Sequence, residues 1–189
     1  AKQQFVYTLI AFVHAVNAQL RMKVLTEHAQ ALIRPQARNA ILQARFKPVM
    51  ILSDAASQLA ELRKQGVICP ILFTSFDRQL SLLNEDLGGC ERLASTPVPF
   101  AYSVILHRTV YLYSFLLPFG LVNTVGLMTP LIVAFVSYTF LAIEALVEEL
   151  QEPFGIEPND LALDAMTITI EATLREMLGE PAYPPPPEP

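Results

Sequence analysis

Charge is scarce in this sequence. Asp, Glu, Lys and Arg together make up 16% of its 189 residues, against about 25% in typical soluble domains. Hydrophobic residues reach 52%, with a mean hydropathy of +0.38. That balance excludes a disordered chain and a nucleic-acid-wrapping one, both of which need high charge and low hydrophobicity. Cysteine is nearly missing too. Cys69 and Cys90 are too few for a disulfide scaffold and form no Cys-x-x-Cys pair, so a reducing compartment is the default and each reads as a small buried hydrophobe. A nucleophile elbow, a P-loop, a Gly-x-Gly-x-x-Gly turn and a His-Glu-x-x-His pair are all absent. Catalysis therefore has no foothold, no cofactor is expected, and the chain is read as a non-enzyme. No signal peptide is visible and the first residue is Ala1 rather than Met, from which a fragment of a longer chain is expected.

What the chain does have is a long uncharged run. From Thr109 to Ile143 lie 35 residues without Asp, Glu, Lys, Arg or His. One bilayer span needs roughly 20 apolar residues, so the run is too long for one. Gly120, Asn123 and Gly126 are its loop-like cluster. Division there predicts spans over residues 98–121 and 127–146, the second entered through Met128-Thr129-Pro130, where proline fits a first helical turn. The first span then carries His107 and Arg108 near mid-depth. Charged groups there are expensive and almost always face a helix bundle or a water-filled cavity. His107 and Arg108 are thus expected to be intramembrane polar packing residues, inside a larger assembly.

Charge is also unevenly placed. Before residue 93 there are eleven Lys and Arg against seven acids, a net of +4; after Ile143 there is one Arg against eleven acids, a net of −10. Basic arms stay cytoplasmic, and two spans return the acidic arm to the same side, where arms of opposite sign can associate. The expected organisation is all-α: residues 1–95 a cytosolic helical region, 96–147 two transmembrane helices, 148–180 C-terminal cytosolic helices, 181–189 a Pro-rich disordered tail.

Within the first arm, residues 3–20 hold no Asp, Glu, Lys or Arg and are tested as a third span. Gln3, Gln4, His14, Asn17 and Gln19 are too many polar groups for a lipid-facing helix, and a cytosolic helix buried on most sides is the reading taken. Helices are further predicted over residues 49–65, stopped by Gly66, over 71–87, stopped by Gly88-Gly89, and over 161–178, capped by Asn159 or Asp160 and stopped by Gly179. The helix of the second span is expected to run on to Pro153, with Glu144, Glu148, Glu149 and Glu152 on a solvated face. His14, His28 and His107 lie far apart in sequence, so His14 is read as a core histidine and no metal site is expected.

Two segments carry a resemblance. Gly89-Cys90-Glu91-Arg92-Leu93-Ala94-Ser95-Thr96-Pro97-Val98-Pro99-Phe100-Ala101-Tyr102, continued by Leu106-His107-Arg108-Thr109 and Leu117-Pro118-Phe119-Gly120, is one; Glu149-Leu150-Gln151-Glu152-Pro153-Phe154-Gly155 followed by Pro158-Asn159-Asp160-Leu161 is the other. Together they resemble the bestrophin family, in its bacterial branch. The resemblance implies a homopentameric channel for small monovalent ions in the inner membrane, multi-pass, with four transmembrane helices per subunit and both ends of this chain cytoplasmic. The first two spans, with the neck-lining helix, are then expected before Ala1. Chloride conduction is the family's activity, with cation selectivity an open alternative in the bacterial branch; a non-conducting oligomeric scaffold is the rival. Partners are copies of itself, the lipid bilayer and the permeant ions. Val98, between Pro97 and Pro99, matches the family's second pore constriction, an uncharged ring able to gate by dewetting. The eukaryotic calcium clasp is an acidic run after Pro-Phe-Gly. Here only Glu157 and Asp160 stand in that place, weak candidates for an ion that wants six to eight oxygens, and calcium gating is not expected.

Overall fold

A computed structural model describes residues 2–96, 100–149 and 151–181. Among these residues all regular structure is helical: α1 (Lys2–Leu20), α2 (Glu27–Leu32), α3 (Pro35–Gln43), α4 (Lys47–Lys64), α5 (Pro70–Ser95), α6 (Phe100–Val125), α7 (Thr129–Glu149) and α8 (Leu163–Glu176), with a 3-10 turn over Gly126–Met128 between α6 and α7. The chain forms two compact units, Ala1–Ala94 with Leu161–Pro189, and Ser95–Asp160.

In the first unit α1 is the central element and packs against α2, α4 and α8. Ile10, Ala11, Phe12 and Ala15 of α1 are buried together with Ile41, Ile51 and Leu59. The uncharged N-terminal segment is therefore a core helix, and a helix surrounded by others needs apolar residues on most of its sides. One polar network crosses that core. Gln58 Nε2 donates to Thr8 Oγ1 at 2.7 Å and to Asp54 Oδ2 at 3.0 Å, while the Arg34 guanidinium grips Asp54 through Nε at 3.1 Å and Nη2 at 2.5 Å. Burying these groups is tolerable because each finds a partner.

Local punctuation follows backbone chemistry. Pro35 opens α3 and Pro48 sits in the first turn of α4, where no intrahelical N–H bond is lost. Thr26 caps α2, its hydroxyl accepting from the Ala29 N–H at 3.3 Å. Gly66 and Gly179 follow α4 and α8 with φ of +74° and +77°, the left-handed values that end helices. Gly88 and Gly89 do not take such values, so the expected stop there is overturned and α5 continues to Ser95. Glycine weakens a helix interior by about 1 kcal/mol, and the anchors around the pair offset this: Leu87 is buried, Gln19 donates to Glu91, and Arg92 Nε donates back to the Gly88 carbonyl at 3.1 Å. Cys69 is exposed and Cys90 half-exposed, so neither is the buried hydrophobe expected. The tail from residue 182 lies outside the described residues.

The second unit is a helical hairpin. At 1.5 Å per residue, the 26 residues of α6 and 21 of α7 are about 39 and 31 Å long, each enough for a hydrocarbon core of about 30 Å. Residues 104–149 are the stretch, among those described, that is long and apolar enough to cross a membrane, and none of its most apolar window is buried. The turn falls later than expected. α6 runs through Gly120 and Asn123 to Val125, and only Gly126 adopts a positive φ, +58°. In an apolar solvent an opened backbone has no water to pair with, so the helix is kept as long as the chain allows.

Candidate functional site

The turn at Gly126 decides which side chains of the hairpin face one another. Tyr113 meets Phe140 edge-to-face, ring centroids 5.7 Å apart. Farther from the turn, His107 Nδ1 lies 2.7 Å from Glu144 Oε1. Glu144, read from sequence as part of a solvated acidic face, is thus a largely covered partner of His107. The signal was available: Glu144 and Arg108, the neighbour of His107, bound the same uncharged run, and folding that run in half brings its ends level. Arg108, the next residue, is exposed in the chain by itself. From Gly126 back to His107 is 19 residues, about 28 Å along the axis. Beside the pair, Leu106, Val110, Phe140 and Ile143 line a cleft of about 390 Å³.

Val98, Pro97 and Pro99 lie outside the described residues. Glu157 and Asp160, the calcium candidates, sit in the loop after α7. There Asp160 Oδ2 accepts from the Glu157 backbone N–H at 2.7 Å, and a side chain at Gly155 would run into the same carboxylate. Asp160 closes its own turn. Asn159, expected as a helix cap, instead donates to Glu149 Oε2 at 2.8 Å, and α8 begins after Ala162 with no side-chain cap.

In the first unit, the acidic C-terminal helix meets basic and imidazole groups of the N-terminal arm. Asp164 of α8 accepts from Arg21 Nη1 at 2.6 Å and from Asn17 Nδ2 at 2.7 Å. The bond from Asn17, with Arg21 and Lys23 nearby, outweighs partial burial and holds the Asp164 carboxyl below its ordinary value. Two turns farther along, Glu171 is buried at 0% side-chain exposure and is approached from three directions. His14 Nε2 lies 2.6 Å from Oε2, His28 Nε2 2.8 Å from Oε1, and Arg175 Nε donates to Oε1 at 2.8 Å. Burial opposes the Glu171 charge, but these three contacts overcome it and the carboxyl stays below its ordinary range. Among the described residues, this is the group of three metal-capable side chains close enough to share an ion, with ligand atoms within 4.8 Å of one another. Sequence separation kept His14 and His28 apart, whereas the fold sets their rings 5.6 Å apart.

Comparison with known proteins places this geometry. The family profile described as bacterial/fungal bestrophin protein matches residues 1–176. A protein of Ralstonia nicotianae named voltage-dependent anion channel-forming protein RSc3414 is 39% identical over 180 residues, covering 95% of this chain and 59% of its own length. The Salmonella typhi protein named voltage-dependent anion channel-forming protein YneE is 43% identical over 178 residues, covering 94% of this chain and 59% of that one. Among solved structures, a bacterial bestrophin homologue from Klebsiella pneumoniae, crystallised as a point mutant, superposes with a TM-score of 0.89 at 43% identity, over 94% of this chain and 66% of that one. This chain spans about three fifths of the length of these curated relatives.

Proposed function

The chain belongs to the bacterial and fungal bestrophin family, and on that premise we propose that it is part of an anion-conducting membrane channel built from several copies of the subunit. The observation that carries this reading is a helical hairpin without a charge over 35 residues, in a chain whose relatives are named anion channel-forming proteins. Those names favour chloride and similar small anions over the cation alternative, and nothing in the hairpin favours a non-conducting scaffold over a channel. The finer picture is a homopentamer in the inner membrane, multi-pass, with the basic first unit and both chain ends in the cytoplasm. That orientation draws on the excess of Lys and Arg before residue 93.

Within this picture the hairpin lies across the bilayer with Gly126 at one face. His107 then sits close to the opposite face, since about 28 Å of helix separates it from the turn and the hydrocarbon core is about 30 Å thick. This moves His107 and Arg108 from mid-depth toward the cytoplasmic edge, where Glu144 joins His107 and where Arg108 meets neighbouring helices or headgroups at modest cost. Val98, nine residues before His107 and between Pro97 and Pro99 in sequence, forms the uncharged constriction with its copies. Glu157 and Asp160 supply two carboxylates, one of them already accepting from its own loop, against the six to eight oxygens calcium takes, so calcium gating is not expected.

The test is electrical. Full-length protein in planar bilayers under a KCl gradient is expected to reverse near the chloride potential; reversal at the potassium potential, or no current, overturns the proposal. Val98→Ala is expected to raise conductance and relax discrimination between small and large anions. Unchanged currents from a variant that still assembles would return Val98 to ordinary packing.

A further inference from the structure

We propose that His14, His28 and Glu171 form a site for one Zn²⁺ or a similar late first-row divalent ion, which clips the C-terminal helix α8 to α1 and α2. Two imidazoles and one carboxylate are the donor set of three-ligand zinc sites, which keep a fourth position for water. Here each donor comes from a different helix, and all three ligand atoms lie within 4.8 Å of one another. Zinc bonds of 2.0–2.2 Å set tetrahedral edges of about 3.3 Å. The present contacts of 2.6 and 2.8 Å therefore need to open by about 0.5–0.7 Å around a central ion, while the imidazoles close in.

Charge also fits. Arg175 donates to Glu171 Oε1, but its Nη1 holds Glu180 Oε2 at 2.7 Å, so the guanidinium is already balanced. The Glu171 charge is left for the ion, with Arg175 orienting the carboxylate from outside the coordination shell. Tyr7 donates to Glu180 and Gln3 Nε2 lies 3.4 Å from it, which fixes the balancing carboxylate in turn. Access is present as well: the His28 side chain is 44% exposed while Glu171 is enclosed, so an ion and its water can enter from the His28 side. Calcium and magnesium are excluded by chemistry, since they take oxygen ligands and this site offers one carboxylate.

The site stands apart from ion conduction, and zinc binding is measured without it. Full-length chain in detergent, freed of metal, is titrated with zinc chloride in a calorimeter. One saturable zinc per chain is expected, weakened at least tenfold in His28→Gln and in Glu171→Gln with helicity retained, and calcium chloride is expected to give no such site. Zinc absorption spectroscopy on the unmutated protein is expected to count two imidazoles. Absence of saturable zinc binding, wild-type affinity in His28→Gln, or fewer than two imidazoles around the ion would each overturn the proposal. Should His28→Gln lose helicity, the imidazole count decides alone.

Discussion

Ile10 and Ile51 in the first unit are 0% exposed, whereas Phe119, Phe135 and Tyr138 of the hairpin are 68–72% exposed. The first unit has a buried apolar core around α1 and α4, with exposed apolar groups such as Ile71, Leu72 and Leu93 on α5, and puts charges into pairs such as Arg34–Asp54 and Arg21–Asp164. The hairpin does the reverse, presenting aromatic rings outward and keeping its polar contact, His107 with Glu144, between its two helices. One polypeptide is thus written for two solvents. In water, burying apolar area is the driving force; against lipid or neighbouring helices there is no such force, and an exposed ring is at home.

That contrast can be broken or sharpened by substitution. The largest effect is expected for Ile51→Ala, a cavity in the first unit that should cost about 2–5 kcal/mol in denaturant unfolding. The companion change Phe135→Ala on the hairpin should stay within about 0.5 kcal/mol in detergent; an equal loss from both would erase the distinction. Next comes Asp54→Ala. It leaves Arg34 and Gln58 without their shared acceptor, and because Arg34 keeps some access to water the expected loss is about 2 kcal/mol rather than the larger figure for a sealed pair.

Among the charge changes the smallest effect belongs to Asp164. Its folded-state value is depressed below that of the unfolded chain, so its contribution is fully present above the ordinary aspartate range. It is lost as pH falls through the depressed value. Half of its side chain meets water, which keeps the contribution below about 1 kcal/mol and sensitive to salt. The melting-temperature gap between wild type and Asp164→Asn should therefore be constant near neutrality and close in acid. A gap that persists at the lowest pH would mean that Asp164 acts through packing instead of charge.

The fold class was legible because it depends on long-range averages: 35 residues without charge can hardly be anything but a hairpin, and helical periodicity with Pro and Gly punctuation recovered α4 and, to within a few residues, α8. Punctuation failed where a glycine or asparagine is merely tolerated. Gly88, Gly89, Gly120 and Asn123 all sit inside helices, since what ends a helix is a backbone that turns left-handed or finds an outside partner, and neither follows from residue type alone. The bestrophin resemblance was readable from the Pro-Phe-Gly and Pro-Val-Pro segments. The imidazole–carboxylate cluster was not, because His14 and Glu171 are 157 residues apart and nothing local in either helix announces the other.

That separation has a temporal side. A ribosome adds about 5–20 residues each second, so Glu171 emerges roughly 8–30 s after His14. The hairpin is made in between. Helix α1 therefore waits, with the face that will receive α8 still uncovered, while the apolar run is being made, and the first unit can close only after the hairpin has been synthesised. Completion of the early helices is in this way a late event in the life of the chain, and their final docking reports that the hairpin has already been made.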